Sequence, residues 1–341
     1  MRGMTKRAAT GALIGLALGD ALGRPTEFLD TDRIRQRYGP WRELPLPEPA
    51  TVTDDTDMTI AVARALRTAA SRGRLAPLRL TRPLREEFVE WAHRPQGLRA
   101  PGRTCLKAVA LLTREDRPWQ DASQLDSKGC GATMRVAPIG LFPGLSDTER
   151  SAAAQLQAAL THGHPTALAA ADLTARAVYL LAQGTRPAEL VARLVSYAQG
   201  QRRVYHERWL GTLWLGTPHR SGEDYVESGW DECLKILARL DAAQHEADPE
   251  SDPCLRTGEG WIAEEALATA LLAFLLFPEE PLTALRRAAC TVGDSDSLAC
   301  LTGAFAGAYL GAGAWPDAWA ARVEFGDELR DFGAQWDQGL L

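Results

Sequence analysis

The sequence lacks the cysteine spacing of a structural metal site. Its 341 residues include six cysteines, and no two of them form a CxxC pair. They are Cys105, Cys130, Cys233, Cys254, Cys290 and Cys300. Because closely paired cysteines are the usual signature of structural zinc, we expect no zinc site, and we expect reduced thiols in a cytoplasmic protein.

An excess of positive charge and a convincing membrane span are also missing. The formal net charge is −6, and no arginine-rich stretch is interleaved with aromatic residues, which disfavours a dedicated nucleic-acid binder. The apolar stretch 298–315 is dominated by Ala and Gly, where a membrane span would carry Leu and Ile. Asp20 interrupts the apolar run near the N-terminus, unlike a secretory signal. The composition, with 45% hydrophobic and 24% charged residues, is typical of a soluble globular protein.

Alternating strand patterns bounded by turns are absent, and helical spacing takes their place. Apolar residues recur at intervals of three and four, which predicts amphipathic helices. The predicted helices cover 59–70, 84–93, 104–113, 148–160, 166–183, 186–199, 230–241, 263–277 and 281–290. Clusters of Pro and Gly predict breaks at 39–49, 94–102, 216–222 and 247–260. We therefore predict an all-α, multi-helical fold with a single compact domain spanning 1–341, and we expect a monomer.

Glycines recur every fourth residue in two further helical segments. They are Gly11, Gly15 and Gly19 in the first segment, and Gly303, Gly307 and Gly311 in the second. A glycine inside a helix costs roughly 1 kcal/mol relative to alanine, and four-residue spacing places all three on one face. Alanine-rich core helices that include glycine by chance would explain the pattern. Two central helices in close contact, with each other as candidate partners, explain it better.

Three carboxylates are crowded into four positions of TVTDDTDMTI, residues 51–60. Asp54, Asp55 and Asp57 directly precede a helical apolar run. Helix capping accounts for one of them, since Thr53 or Asp54 can serve as the N-cap and acids favour the positive end of the helix dipole. Three close carboxylates repel one another unless a cation or a proton compensates them. This stretch alone leaves capping and metal binding open.

A second acidic cluster stands just before the second glycine segment. In TVGDSDSLAC, residues 291–300, Asp294 and Asp296 alternate with Ser295 and Ser297 at a predicted helix start. Magnesium and manganese prefer oxygen ligands in octahedral geometry, and two such turns facing each other would supply them. A DxDx pattern also occurs in dehalogenase-like phosphoryl-transferring enzymes, but there it follows a parallel strand. The two helix starts therefore favour a divalent-metal site.

Six segments, in order along most of the chain, carry a resemblance to a known family. They are GALIGLALGDALGRPTEF (11–28), TDDTDMT (53–59), SKGCGATMRVAPIGLF (127–142), THGHPTALAAA (161–171), GEGWIAEEALATALLAF (258–274) and GDSDSLACLTGAFAGA (293–308). Together they resemble the ADP-ribosylglycohydrolases, which include dinitrogenase reductase-activating glycohydrolase and the ADP-ribosylarginine hydrolases. The resemblance implies an all-helical fold whose central cleft holds two divalent metal ions, Mg²⁺ or Mn²⁺.

The resemblance also implies the residues of the metal centre. Carried onto matching positions, the metal ligands are Thr53, Asp54, Asp55, Asp294, Asp296 and Ser297. Many members have threonine where Ser297 stands, and serine can still ligate. Glu27 matches a glutamate beside the metals that is implicated in catalysis or gating. Glu27, Asp55 and Asp296 are the expected catalytic residues, and which carboxylate acts as general base stays open.

The resemblance assigns the substrate side of the cleft to a glycine-rich loop and a histidine. The residues expected to line the ADP-ribose diphosphate and the nearby sugar are Ser127, Gly129, Cys130, Gly131 and Met134, because backbone N–H groups of a glycine turn suit phosphate oxygens. His162 matches a histidine on the adenosine side. His164 precedes a proline at a predicted helix start, which favours a structural role, and no His/Asp partner pattern supports Cys130 as a nucleophile.

One segment departs from the family pattern. Members close to the dinitrogenase reductase enzyme carry an Asp-Ile-Gly segment whose aspartate is proposed to take part in the chemistry. The comparable stretch here, RAPGRTCL (99–106), has Ala100, Pro101 and Gly102 instead. A ring-opening mechanism that needs this aspartate is therefore in doubt, which leaves the metals, their carboxylates and Glu27 to carry catalysis.

The implied function is metal-dependent hydrolysis of ADP-ribose from a modified acceptor, which we expect to be arginine on a protein. Free ADP-ribose derivatives are further expected partners, and a modified nucleic acid is not excluded. Two alternatives stay open. The same chemistry would suit serine, a nucleobase or O-acetyl-ADP-ribose, and a weakly catalytic member would bind ADP-ribose or occlude a toxin as an immunity protein. Intact metal ligands favour an active hydrolase.

Overall fold

The computed structural model describes residues 6–94 and 99–341. Seventeen α-helices occur in these two ranges, where the extended segments make isolated bridges and no strand. The helices are α1 (Ala8–Gly23), α2 (Thr31–Tyr38), α3 (Asp54–Ala70), α4 (Pro77–Ala92), α5 (Arg103–Leu112), α6 (Ala137–Leu141), α7 (Asp147–Ala159), α8 (Pro165–Ala182), α9 (Pro187–Gln201), α10 (Glu207–Leu210), α11 (Gly222–Glu246), α12 (Cys254–Thr257), α13 (Ala263–Leu276), α14 (Pro281–Ala289), α15 (Ser295–Leu310), α16 (Asp317–Ala320) and α17 (Gly326–Asp337). They form a single compact helical domain, and the all-α prediction is confirmed.

Every one of the nine periodic segments falls on a helix. The matching helices are α3, α4, α5, α7, α8, α9, α11, α13 and α14. The predicted break at 247–260 contains the short helix α12, and the break at 94–102 includes residues 95–98, which lie outside the described residues. Helix α2 was not predicted, because Ile34 is its only buried residue and its sequence therefore shows no periodic spacing of apolar residues.

Helices α1 and α15 run antiparallel with their backbones in direct contact. A Cβ atom on Gly11 would lie 2.5 Å from the carbonyl oxygen of Gly307, and one on Gly15 would overlap the carbonyl oxygen of Gly303. The prediction that the two glycine segments contact each other is confirmed. The prediction that the third glycine of the second segment, Gly311, lies within the helix was wrong. Gly311 has a φ of 83° and is the C-cap of α15, because a residue in the left-handed region ends a helix.

The apolar character of both glycine helices is explained by burial inside the protein. Residues 9–23 of α1 and 295–308 of α15 are all buried. Over the residues the structure describes, no helix combines the length and the apolar character needed to cross a membrane. The stretch 298–315 therefore begins in the protein core.

The two acidic helix starts converge at the C-terminal end of α1. Asp20 in the last turn of α1 accepts a hydrogen bond from the Thr53 N–H at 2.9 Å, which fixes the start of α3. Gly23 packs so closely on the start of α15 that a Cβ atom there would overlap the Ser295 carbonyl oxygen. Two sequence segments far apart in the chain are thereby brought to one place.

Candidate active site

A cleft of about 610 Å³ opens where α1, α3 and α15 meet. It is lined by most of the residues that the sequence singled out, namely Glu27, Asp54, Asp55, Gly129, Cys130, Gly131, Met134, His162, Asp294, Asp296 and Ser297. Thr53 and Ser127 lie behind this surface. Thr53 is buried beneath the start of α3, and the Ser127 hydroxyl bonds the Thr104 hydroxyl at 2.7 Å.

The first acidic helix start is shaped by two layers of hydrogen bonds. Thr53 is the N-cap of α3, and its Oγ1 accepts from the Asp55 N–H at 3.3 Å. Beneath it, the fully buried Asp20 carboxylate accepts from the Thr56 N–H at 3.0 Å and from the Thr56 hydroxyl at 2.5 Å. Asp20 was missed as a site residue. The available signal was an acid inside an otherwise apolar helix.

Asp57 belongs to the same turn but does not take part in the cleft. Its carboxylate accepts from Arg94 Nη1 at 3.3 Å, and it is not among the lining residues. Two carboxylates of the crowded stretch, Asp54 and Asp55, therefore face the cleft, while the third forms an ion pair. Position on the helix decides the difference, because Asp57 is two residues beyond Asp55 and points elsewhere.

The second acidic helix start completes a carboxylate cluster. Asp294 is held by its N–H, which donates to the Glu259 carbonyl at 2.8 Å, and an Asp296 carboxylate oxygen accepts from the Ser297 N–H at 3.0 Å. One carboxylate oxygen each from Glu27, Asp294 and Asp296 all lie within 4.8 Å of one another. Such spacing lets several side chains reach a single cation.

The turn after α1 brings Glu27 to this cluster. The neighbouring Thr26 hydroxyl donates to the Ala289 carbonyl at 2.6 Å and lies 3.1 Å from the Ser295 hydroxyl. Thr26 is fully buried, whereas Glu27 is half-buried at the cleft surface. The turn is therefore anchored to the start of α15, and the Glu27 carboxyl is accessible from the cleft.

Burial and mutual repulsion make the carboxyl cluster unfavourable when it is fully charged. Burial, followed by repulsion from Asp296, raises the pKa of Asp20 to about 7 and that of Glu27 to about 8. The same two causes raise the pKa of Asp54, Asp55 and Asp294 well above the usual range. Such a cluster is expected where a cation neutralises the charges.

An orphaned atom tests whether the cluster fits a divalent cation. Asp55 Oδ1 is buried and finds no hydrogen-bond partner in the part of the chain that the structure describes, although its other oxygen accepts from the Thr53 hydroxyl at 3.3 Å. A buried carboxylate oxygen without a partner costs free energy, about 1–3 kcal/mol or more, unless a ligand compensates it. Hard oxygen donors from two helix starts are the ligands that Mg²⁺ and Mn²⁺ prefer. The residues present therefore fit such an ion.

The glycine loop packs against the candidate substrate histidine. A Cβ atom on Gly131 would lie 3.0 Å from His162 Cε1, and one on Gly129 would lie 3.4 Å from its Nε2. Burial lowers the pKa of His162 to about 3, so the ring is neutral, and its Nδ1 lies 2.8 Å from the Thr161 hydroxyl. The glycines thus allow a neutral imidazole to approach the loop backbone. His164, by contrast, caps α8 by accepting from the Thr166 N–H at 3.2 Å, in agreement with its predicted structural role.

The loop is held in place by residues 261–263. The Cys130 N–H donates to the Trp261 carbonyl at 3.2 Å, and the Ala263 N–H donates to the Lys128 carbonyl at 2.8 Å. The Cys130 amide is therefore engaged within the protein. Its thiol points to the carboxylate cluster, where Sγ donates to Asp294 Oδ2 at 2.8 Å.

Two aromatic rings at the cleft mouth were missed. Phe28 and Trp261 stack with ring centroids 5.5 Å apart and an interplanar angle of 14°. Their exposed fractions are 69% and 38%, although aromatic rings are usually buried. The signal was the position of Phe28 next to Glu27. Ala100, Pro101 and Gly102, the segment that departs from the family pattern, also line the cleft.

Comparisons with known proteins identify the family of the chain. Residues 2–339 match the family described as ADP-ribosylglycohydrolase. The chain is 34% identical over 182 residues to ADP-ribosyl-(dinitrogen reductase) glycohydrolase of Rhodospirillum rubrum, a match that covers 52% of this chain and 58% of that enzyme. The match therefore spans little more than half of the enzyme's length.

Two further matches run over nearly the whole chain. ADP-ribosylhydrolase ARH3 of Homo sapiens is 28% identical over 353 residues, covering 95% of this chain and 91% of that protein. A solved structure of an ADP-ribosylglycohydrolase-related protein complex superimposes with a TM-score of 0.70 at 23% identity, covering 99% of this chain and 100% of that chain. The shared fold, the ordered sequence segments and the family match over 2–339 lead to one conclusion: the chain belongs to the ADP-ribosylglycohydrolases, a family of hydrolytic enzymes.

Proposed function

We propose that this chain is a metal-dependent hydrolase that removes ADP-ribose from ADP-ribosylated arginine on proteins. It acts as a cytoplasmic monomer with two Mg²⁺ or Mn²⁺ ions. The observation that carries the proposal is that two acidic helix starts, a glycine loop and a neutral histidine line one cleft. Carboxylates suit the cations, and a glycine loop suits a nucleotide diphosphate.

The metal ligands in this proposal come from both helix starts. They are Thr53, Asp54, Asp55, Asp294, Asp296 and Ser297. The buried Asp55 Oδ1 without a partner supports this assignment. When bound, the ions supply Lewis-acid polarisation and orient the ribose hydroxyls and an attacking water.

Glu27 is the proton-transfer group in this proposal. It is half-buried on a turn, whereas Asp55 and Asp296 are buried at helix starts, so the leaving group reaches Glu27 most easily. Burial, followed by repulsion from Asp296, raises its pKa to about 8. Bound cations would lower this pKa again. The accessible position of the Glu27 carboxyl therefore makes it the group that can exchange a proton with the departing guanidine nitrogen. Asp55 and Asp296 stabilise the positive charge that develops at the anomeric carbon.

The remaining cleft residues bind the substrate. Gly129, Gly131 and Met134 surround the diphosphate and sugar, and His162 lies towards the adenosine. The outer faces of Phe28 and Trp261 are flat and accessible, which suits the planar guanidinium of an acceptor arginine.

Activity against a panel of substrates tests the proposal. EDTA-treated protein, with and without added Mg²⁺ or Mn²⁺, is incubated with ADP-ribosylated arginine, serine, a nucleobase and O-acetyl-ADP-ribose. We expect metal-dependent release from arginine and loss of release in Asp296→Asn, whose mutation removes a charge that balances the cations. Preferred release from another substrate would reassign the acceptor. ADP-ribose binding without turnover of any substrate would favour a binding or immunity protein.

A further inference from the structure

The thiol of Cys130 lies among the candidate metal ligands. Its Sγ is 2.8 Å from Asp294 Oδ2 and 3.9 Å from the Ser297 hydroxyl. Both of these residues line the cleft, and so does Cys130 itself. The side chain therefore extends from the substrate loop into the carboxylate cluster.

The backbone of Cys130 is held by hydrogen bonds, and its thiol is directed by the contact with Asp294. The N–H donates to the Trp261 carbonyl at 3.2 Å, and the carbonyl accepts from the Thr133 N–H at 2.7 Å and the Met134 N–H at 3.1 Å. Both backbone polar groups are therefore engaged, which leaves the side chain as the part of Cys130 that can bind a ligand. The thiol is held in position before any ligand binds.

A second observation indicates a cation at the same place. Asp55 also lines this cleft, and its Oδ1 is buried and meets no hydrogen-bond partner within residues 6–94 and 99–341. Its residue is 2% exposed. The Cys130 sulfur, in contact with Asp294, and the Asp55 carboxylate thus line the same cleft, from the loop and from the two helix starts.

We propose that Cys130 is itself a metal ligand and that its sulfur shifts the preference of the centre from Mg²⁺ towards softer divalent cations such as Cd²⁺. This inference rests on the metal centre proposed above. Thiolates bind soft cations, whereas Mg²⁺ strongly prefers oxygen. On binding, the sulfur gives an electron pair to the cation and the thiol proton leaves to solvent. In the metal-free protein Asp294 Oδ2 accepts a hydrogen bond from this thiol. Once the thiol proton has left, the same oxygen would be free to bind the cation.

Cadmium is the probe for this sulfur ligand. Cd²⁺ binding to the EDTA-treated wild type should produce the ultraviolet sulfur-to-cadmium charge-transfer band, and calorimetry should give the affinities for Cd²⁺, Mn²⁺ and Mg²⁺. Cys130→Ser should abolish the band and weaken Cd²⁺ binding by at least about tenfold, since even partners of ligands usually contribute that much. Mg²⁺ affinity should hold or rise, because serine supplies a hard oxygen.

Two further variants make the result specific. Asp294→Asn should weaken the band, since the same cation loses an oxygen ligand. Cys233→Ala removes a fully buried cysteine on α11 and should leave the band intact. Cd²⁺ binding without a charge-transfer band, or a band retained in Cys130→Ser, would overturn the role of Cys130 alone. Failure of the folded wild type to bind any of the three ions would overturn the metal centre itself.

Discussion

Asp55 and Asp57 stand two positions apart in one helical turn and have different surroundings. Among the described residues, no hydrogen-bond partner meets one buried oxygen of Asp55, whereas Asp57 is paired with Arg94. A metal ion would therefore compensate the charge of Asp55, whereas the guanidinium of Arg94 already compensates the charge of Asp57. At the scale of single residues, orientation matters more than the acidic composition of the stretch.

This difference gives a matched pair of variants. Asp55→Asn should lower Mn²⁺ affinity by at least about tenfold, because a ligand charge is lost. Asp57→Asn should leave Mn²⁺ affinity nearly unchanged, because Asp57 is paired with Arg94 and does not line the cleft. Calorimetry on the folded, EDTA-treated proteins makes the measurement. Equal losses of affinity in both variants would mean that general negative charge, not a defined site, attracts the metal.

Glu27 allows a separate test of the chemistry. If its carboxyl transfers the proton, Glu27→Gln should slow turnover by about 10²–10⁴-fold, the usual contribution of a general acid or base. The melting temperature should hold or rise, since Glu27 is repelled by Asp296 and Asp20. Single-turnover assays with ADP-ribosylated arginine, together with thermal melts, give both values. Turnover at the wild-type rate would return Glu27 to the role of a helix-end charge.

At the scale of elements, the pairing of α1 with α15 holds the site together. The closest approach follows the glycines, and the acidic end of α15 meets the turn that carries Glu27. A side chain between these helices would push the two halves of the site apart. The glycines therefore serve the geometry of the cleft as well as the packing of the core.

A pair of glycine variants separates close packing from helix propensity. Gly307→Ala should destabilise the protein by about 1–3 kcal/mol or more, because its Cβ atom would overlap the Gly11 carbonyl oxygen. Gly200→Ala, in α9, has open space around its Cβ position and should be neutral or stabilise by up to about 1 kcal/mol. Urea denaturation measures both. A stable Gly307→Ala variant would contradict the backbone contact.

The sequence predicted what depends on local pattern and missed what depends on the meeting of distant segments. The periodic helices and both acidic starts were predicted because apolar spacing and clustered charge are visible within ten residues. The role of Asp20 depends on Thr53 and Thr56 in another helix, and the direction of the Cys130 thiol depends on Asp294. No local pattern carries these contacts. The site assignments themselves stay predictions until the variants are measured.

At the scale of the whole molecule, the buried carboxyls link folding to pH and to metal. Asp20 and Glu27 have ordinary pKa values of 3.8 and 4.5, which the folded state raises to about 7 and about 8. The folded state therefore binds protons more tightly than the unfolded state. It follows that the free energy of unfolding falls as pH rises through this window.

The melting temperature of EDTA-treated protein should accordingly fall as the pH is raised from about 6.5 to about 8.5. Below this range the buried and half-buried histidines, whose pKa values are lowered by burial, act in the opposite direction. Added Mn²⁺ should offset the loss, most at the upper end, because a ligand of the folded state stabilises it and deprotonated carboxylates bind the ion best. Thermal melts across this range, with and without Mn²⁺, provide the measurement. A flat profile in the metal-free protein would show that these carboxyls titrate near their ordinary values.

The junction between α1 and α15 has a consequence for the order of folding. The Ser295 hydroxyl bonds the Gly23 carbonyl across 272 positions of sequence, so the candidate metal centre requires the closure of a very long loop. Contacts of such range form late, because the formation of local helices first reduces the conformational entropy that closing the long loop would cost. A ribosome-bound chain that ends before α15 holds only the α3 half of the ligands. Strong metal binding would then be a property of the completed chain. The cation would stabilise a fold that has already formed and would not nucleate folding.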